Sequence, residues 1–470
     1  MSLLKGKEMA SDFVFPIPDR QSRRLAVGWL ILSIASLVIA GLFSIILVLS
    51  RTPYVQDIFP MVDFFHVALV VHVDLSVLIW FLSFAGVFFS INSTPRWTGL
   101  GWLALSLSAS GTSIIAISPF IGAKNPLMNN YVPVLQDHIF LIGLAIFAAG
   151  FTLLLVRSLF TAALFKRHLD SPSALRFGIY IAAVAASTSM IAFVWSYLSI
   201  PDDIYGERYY EILFWGGGHV LQFVHTMLML VSWLWLASAS GAVICLNPRI
   251  ATIIFGLGLI PAFITPIIYL SYDVTSFEHI DSFTMLMKYG MGLPVLLTGF
   301  AVAAAILRGK AIDSMRHIKA ALISSMILFA AGGIIGFLIH GTNVTIPSHY
   351  HGAIVGVTLS YMGVTYYLLP HLGFSNPSAR LAHIQPYIYG GGQLLHILGL
   401  AWAGGYGVQR KVAGSAQGLA TLKEIASMGL MGIGGLMAVI GGFLFLIVVI
   451  RAMLPHKQQE RIPTSPAQID

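Results

Sequence analysis

Fifteen histidines stand in a chain of 470 residues that has only 26 Lys and Arg and 19 Asp and Glu. Nine of them, His66, His72, His138, His219, His225, His340, His349, His351 and His396, fall in or beside apolar runs. A polar side chain in hydrocarbon is costly and needs a partner or a task. Taken singly, each suits an interhelical hydrogen bond or an interfacial place. Taken together they point to iron or another metal, because neutral imidazole is a common metal ligand and the usual axial ligand of haem. The most informative spacing is Ser348-His349-Tyr350-His351-Gly352. On a helix, positions i and i+2 point about 200° apart. The two imidazoles either serve two haems on opposite sides of one helix, or face a neighbouring helix and an interface. Asp74, two residues after His72, reads as a buried proton-carrying group or a hydrogen-bonded structural carboxylate. His225 is rotated away from His219 and reads as structural, and Asp137 beside His138 reads as an Asp–His hydrogen bond. Gly216-Gly217-Gly218 permits close approach of a large group or a helix.

Hydrophobic residues make up 57% of the chain, charged residues 10%, and the mean hydropathy is +0.84. Soluble domains carry roughly 25% charged residues. The composition excludes a water-soluble enzyme, a disordered chain and a disulfide scaffold, and nothing in it calls for a nucleic-acid partner. With one cysteine, Cys245, the chain has no Cys-x-x-Cys-His motif for covalent haem and no cysteine-ligated cluster. Apolar runs near 25–49, 63–91, 98–120, 134–158, 176–199, 212–240, 250–272, 282–307, 318–341, 347–370, 386–406 and 425–453 predict an all-α polytopic membrane protein of twelve spanning helices. Residues 1–24 form a polar segment without a cleavable signal pattern, 25–453 a single membrane domain, and 454–470 a polar tail. Lys and Arg favour the termini and the even-to-odd connections by roughly three to one, which predicts both termini in the cytoplasm of a bacterial cell.

The segment Gly-Thr-Asn-Val-Thr-Ile-Pro-Ser-His349-Tyr-His351-Gly resembles helix 10 of the haem–copper oxidase superfamily. Val70-Val71-His72-Val-Asp74 resembles its helix 2, and Trp215-Gly-Gly-Gly-His219-Val-Leu-Gln222-Phe223 its helix 6. Gln393-Leu-Leu-His396, followed by Arg410-Lys411, resembles its helix 11 and the basic pair near the haem propionates. The resemblance covers essentially the whole chain and implies a catalytic subunit I fold. It implies that His72 and His351 ligate a low-spin haem, that His349 is the proximal ligand of a high-spin haem, and that His219 ligates a non-haem metal. It also implies that Arg410 and Lys411 hold propionates and that His396 contacts the high-spin haem. The haems read as b-type.

The family's second metal takes two more ligands from a His-His pair on helix 7, whereas here the corresponding positions are Tyr269-Leu270. That leaves Tyr269 as a phenolate ligand or hydrogen-bonder and Asp273 as a carboxylate ligand, with Glu278 and His279 behind them. Phe223 occupies the helix 6 place of the oxygen reductases' tyrosine, and Lys288 lies too near the outer end for their helix 8 proton path. Reducing O2 takes four electrons and four protons; reducing two NO to N2O takes two of each and loses less by these departures. Iron rather than copper suits oxygen ligands. NO reductases usually carry a helix 6 glutamate, and Gln222 lies near that place. The reading is a divergent nitric oxide reductase-like terminal reductase. It receives electrons from a separate subunit, a soluble cytochrome or a cupredoxin. The alternatives are an oxygen-reducing subunit I, or a non-catalytic haem protein for electron transfer or gas binding that has lost the second metal.

Overall fold

In hydrocarbon a backbone must satisfy its own hydrogen bonds, so each apolar run closes into a helix. The computed structural model describes residues 12–16, 18–49, 64–163, 169–309, 312–410 and 419–454. Among these residues, twelve long helical rods follow in chain order. The first six are α1 (Arg20–Leu49), α2 (Phe64–Val73, then a wider π-helical stretch Asp74–Ile79, then Trp80–Ile91), α3 (Thr98–Ile117), α4 (His138–Thr161), α5 (Ser171–Ser199) and α6 (Gly206–Ala239). The rest are α7 (Pro248–Ser271), α8 (Phe277–Gly290 continuing as Gly292–Arg308), α9 (Arg316–Phe337), α10 (Thr345–His371), α11 (Ala379–Gly404) and α12 (Leu422–Met453). Eleven are long and apolar enough to span a membrane. The twelfth, α11, is made more polar by Arg380, His383, Gln385, Gln393 and His396. The fold is therefore an all-α polytopic bundle.

Several helices begin on side-chain caps. Asp19 accepts from the amides of Gln21 and Ser22, and Thr421 with Glu424 forms a capping box at α12. Asp137 accepts from the amide of Ile139 to start α4. Its carboxylate therefore serves the helix start, and His138 is exposed.

Consecutive rods pack as antiparallel neighbours, most closely α1 with α2, α3 with α4, α5 with α6, α9 with α10 and α11 with α12. Small residues let backbones touch. A Cβ placed on Gly352 of α10 would stand 2.6 Å from the Cα of Gly332 on α9. Burial is unequal: the apolar windows of α6, α10 and α2 are 89%, 83% and 67% buried, against 28–50% in the other spanning helices. These three inner rods carry His219, His349 with His351, and His72. The α3–α4 connection adds a short antiparallel pair, β1 (Pro126–Leu127) and β2 (Val134–Leu135), which frames the loop holding Tyr131.

Candidate functional site

At four histidines of the candidate site the geometry shows which ring nitrogen carries the proton, because a carbonyl oxygen only accepts. His72 Nδ1 lies 2.8 Å from the Ala40 carbonyl of α1 and therefore donates to it. His349 Nδ1 lies 2.7 Å from the Gly332 carbonyl of α9, and His396 Nδ1 lies 3.0 Å from the Met431 carbonyl of α12. Each is left with an Nε2 lone pair. This is how ligating histidines are oriented by a second set of contacts. His72 and His349 thus fit axial ligation of haem iron. Gly336 makes room for the His349 ring, since a Cβ there would stand 2.6 Å from Nδ1.

His351 lies within electrostatic reach of both His72 and His396. Its ring centroid is 5.1 Å from that of His396. The structure thus seats His396 beside His351. His349 belongs to a separate group on the α9 side. Above the His349–His351 turn, Arg410 lies within electrostatic reach of Tyr350 and donates to Asn130 Oδ1 at 3.3 Å. A propionate-pairing cation suits that position. Lys411, the other member of the basic pair, lies outside the described residues.

His219 is 1% exposed on α6. Its Nδ1 donates to the Trp215 carbonyl at 2.7 Å, so Nε2 is left to accept, and the Tyr131 hydroxyl lies 2.9 Å from it. Gln222 bonds the same hydroxyl. Desolvation pushes the Tyr131 phenol well above its ordinary range, and the charge of Glu211 adds to this, so the phenol stays a neutral donor. Nothing in the hydropathy pattern marks Tyr131. It sits in a loop 88 residues from His219, and the nearest sequence signal is the glycine run. The backbone at Gly216, Gly217 and Gly218 receives the rings of Tyr269, Phe193 and Tyr131, where any Cβ would collide. The close approach expected of this run is thus made by three aromatic rings.

The other residues expected beside His219 are placed differently. Tyr269 is 7% exposed; it donates to the Ala192 carbonyl at 3.1 Å and so accepts from Ser196 Oγ at 2.7 Å. Its neighbour Leu270 is 76% exposed on the outside of the bundle. Asp273 is exposed in the α7–α8 turn. The Thr275 hydroxyl and amide hold its carboxyl below the usual range. Buried between the two regions is His279, whose ring is 4.8 Å from Tyr269. It lies within electrostatic reach of both His219 and Asp273, and its Nδ1 has no hydrogen-bond partner among the described residues. No three His, Cys, Asp or Glu side chains among the described residues stand close enough to hold one metal ion. The set His219, Tyr269 and Asp273 is therefore not assembled, because Tyr269 is spent on α5 and Asp273 on its own turn. The residues present fit haem at His72 and His349 and do not fit a three-ligand second metal. Asp74 is 1% exposed, and neither carboxyl oxygen has a partner among the described residues, so the hydrogen-bonded structural role is not seen.

A family model described as cytochrome c and quinol oxidase polypeptide I matches residues 24–444. An uncharacterized protein of Rickettsia prowazekii (strain Madrid E) is 30% identical, over 91% of this chain and 96% of its own length. An uncharacterized protein of Aquifex aeolicus (strain VF5) is 25% identical, over 76% of this chain and 88% of its own. Among solved structures, a heme-copper terminal oxidase dimer matches with a TM-score of 0.71 at 16% identity, covering 93% of this chain and 85% of that one. At that identity the match speaks for the fold.

Proposed function

The chain belongs to the cytochrome c and quinol oxidase polypeptide I family, and so to the haem–copper oxidase superfamily; from that premise we propose that this membrane oxidoreductase reduces nitric oxide to nitrous oxide. The family binds haems and a second metal. Here His72 and His351 would hold a low-spin haem that relays electrons, and His349 a high-spin haem whose iron binds the gas, both of b-type. When bound, that haem supplies a one-electron donor with an open coordination position.

The observation that carries the NO reading is the surroundings of His219. Where the oxidases place a His-His pair, this chain has a tyrosine committed to Ser196 and Ala192 and a leucine facing outward. An ion at His219, iron rather than copper on the sequence reading, finds no complete ligand set. Two NO, two electrons and two protons give N2O and water, a lighter demand than the four electrons and four protons of O2. The chain's own residues would orient the imidazole through Trp215, hold the Tyr131 hydroxyl against it with Gln222, and offer a proton at that hydroxyl.

One observation favours oxygen reduction as a second reading: Tyr131 puts a phenol against the helix 6 histidine, which is the kind of tyrosine that Phe223 fails to supply. Turnover of the reduced, purified complex with each gas decides. N2O formation from NO, faster than any O2 uptake, is expected; O2 uptake without N2O would overturn the proposal. We place the protein in the bacterial cytoplasmic membrane. Residues 1–24 and 454–470 lie in the cytoplasm, flanking the 25–453 membrane domain. An outer-side subunit, soluble cytochrome or cupredoxin is the electron donor.

A further inference from the structure

At the opposite end of the bundle from the histidine centre, the starts of α9 and α11 line a half-open cavity of about 280 Å³. Arg316 and His317 face it from α9, and Arg380 and His383 from α11. The only acid lining it, Asp313, is already engaged by the Arg316 guanidinium at 2.8 and 3.2 Å. His317 is 9% exposed and has no hydrogen bond to another described residue, and it lies within electrostatic reach of His383. The Nδ1 of His383 is likewise buried without a partner among the described residues. The start of α11 at Ser378 has no side-chain cap, so first-turn amides are left free there, whereas the start of α9 is closed by the turn Asp313–Met315, whose Asp313 carbonyl takes the Arg316 amide. Free amides at the start of α11, the Arg380 guanidinium, a second guanidinium shared with Asp313, and the imidazoles of His317 and His383 make a surface suited to a phosphate group.

We propose that this cavity binds the phosphate headgroup of an anionic phospholipid. A lipid is favoured over a soluble phosphate by the wall below the cavity. Ile384 lines it and is 38% exposed, and Tyr387, one turn deeper on α11, is 49% exposed with its ring edge-on to His383 at 5.5 Å. An acyl chain can run down that apolar face while the headgroup stays among the cations. Both helices start on the side of the bundle where the first helix starts, which is the side rich in Lys and Arg. In a bacterial membrane the positive side meets the anionic inner leaflet, where basic pockets between spanning helices collect such headgroups.

The full chain, delipidated in mild detergent, would be titrated separately with phosphatidylglycerol, phosphatidylcholine and millimolar inorganic phosphate, and bound lipid read by native mass spectrometry. One phosphatidylglycerol is expected to persist where phosphatidylcholine is lost, with inorganic phosphate failing to displace it. The double variant Arg316→Gln/Arg380→Gln should retain it about tenfold less. Both side chains lie at the exposed helix starts, and unchanged helical circular dichroism checks the fold; Arg380→Lys should keep most of the binding. Equal retention of the two lipids, unchanged retention in the double variant, or displacement by inorganic phosphate would each overturn the assignment, the last by giving the site to a soluble anion.

Discussion

At the scale of single residues, the arrangement turns on where four imidazoles put their protons. Backbone carbonyls take the Nδ1 protons of His72, His349 and His396, and the three Nε2 lone pairs remain available. His349→Ala is expected to abolish CO binding to the reduced protein while sparing the low-spin spectrum; an unchanged CO difference spectrum would refute its proximal role. His219 differs because Tyr131 already occupies its lone pair. If NO is the substrate, Tyr131→Phe costs one neutral hydrogen bond, about 1 kcal/mol or about fivefold in turnover. If O2 is the substrate and Tyr131 its redox partner, the same change should stop turnover, so comparing both gases in this variant separates the readings. The raised phenol also has a pH signature. A group whose folded value is raised contributes stability below its unfolded value, 10.0 for tyrosine, and loses it as pH climbs toward the folded one. The wild type should therefore weaken progressively above pH 10.0, and Tyr131→Phe should lack that component; identical melting profiles between pH 9 and 11 would remove it. The helix-borne histidines could be read from sequence because a polar ring in an apolar run has few reasons to be there. Tyr131 could not, because a loop brings it across 88 residues.

At the scale of helices, hydropathy located all twelve rods and misjudged mainly their ends. The segment near 212–240 is a helix over Gly206–Ala239, and that near 386–406 one over Ala379–Gly404, because helices run past the hydrocarbon edge into polar sequence where no apolar signal follows. The π-helical stretch at Asp74–Ile79 leaves no periodic trace in the sequence, whereas the break in α8 falls at Gly290-Met291-Gly292-Leu293-Pro294, where a proline without an N–H follows two glycines. Packing sets the glycine requirements, which differ between adjacent positions. A Cβ on Gly332 would stand 2.5 Å from the backbone nitrogen of Ala353, whereas one on Gly333 meets nothing within 4 Å. Gly332→Ala should therefore force α9 off α10, costing about 1–3 kcal/mol and loosening the carbonyl that anchors His349. Gly333→Ala should cost nothing and gain up to about 1 kcal/mol from helix propensity. Equal unfolding midpoints for the two variants would show that the α9–α10 contact does not depend on this close approach.

At the scale of the whole molecule, burial and charge organise the bundle along different directions. Burial increases toward α2, α6 and α10, and His72, in the third turn of α2, and His349 and His351, in the second turn of α10, lie toward the same end of the bundle. Lys and Arg gather at the opposite end, where the odd-numbered helices begin. If the positive end lies in the cytoplasm, the centre lies in the outer part of the membrane, within reach of an outer electron donor and outer protons. The chain carries its own reporter for this polarity. Its single cysteine, Cys245, is exposed in the connection between α6 and α7, at the end where α1 begins. A membrane-impermeant maleimide should therefore label it in inverted vesicles and leave it unmodified in intact spheroplasts, and Cys245→Ser should abolish the signal. Labelling from the outside would invert the whole arrangement, placing both the donor site and the proposed lipid cavity on the opposite leaflets while leaving the helix packing untouched.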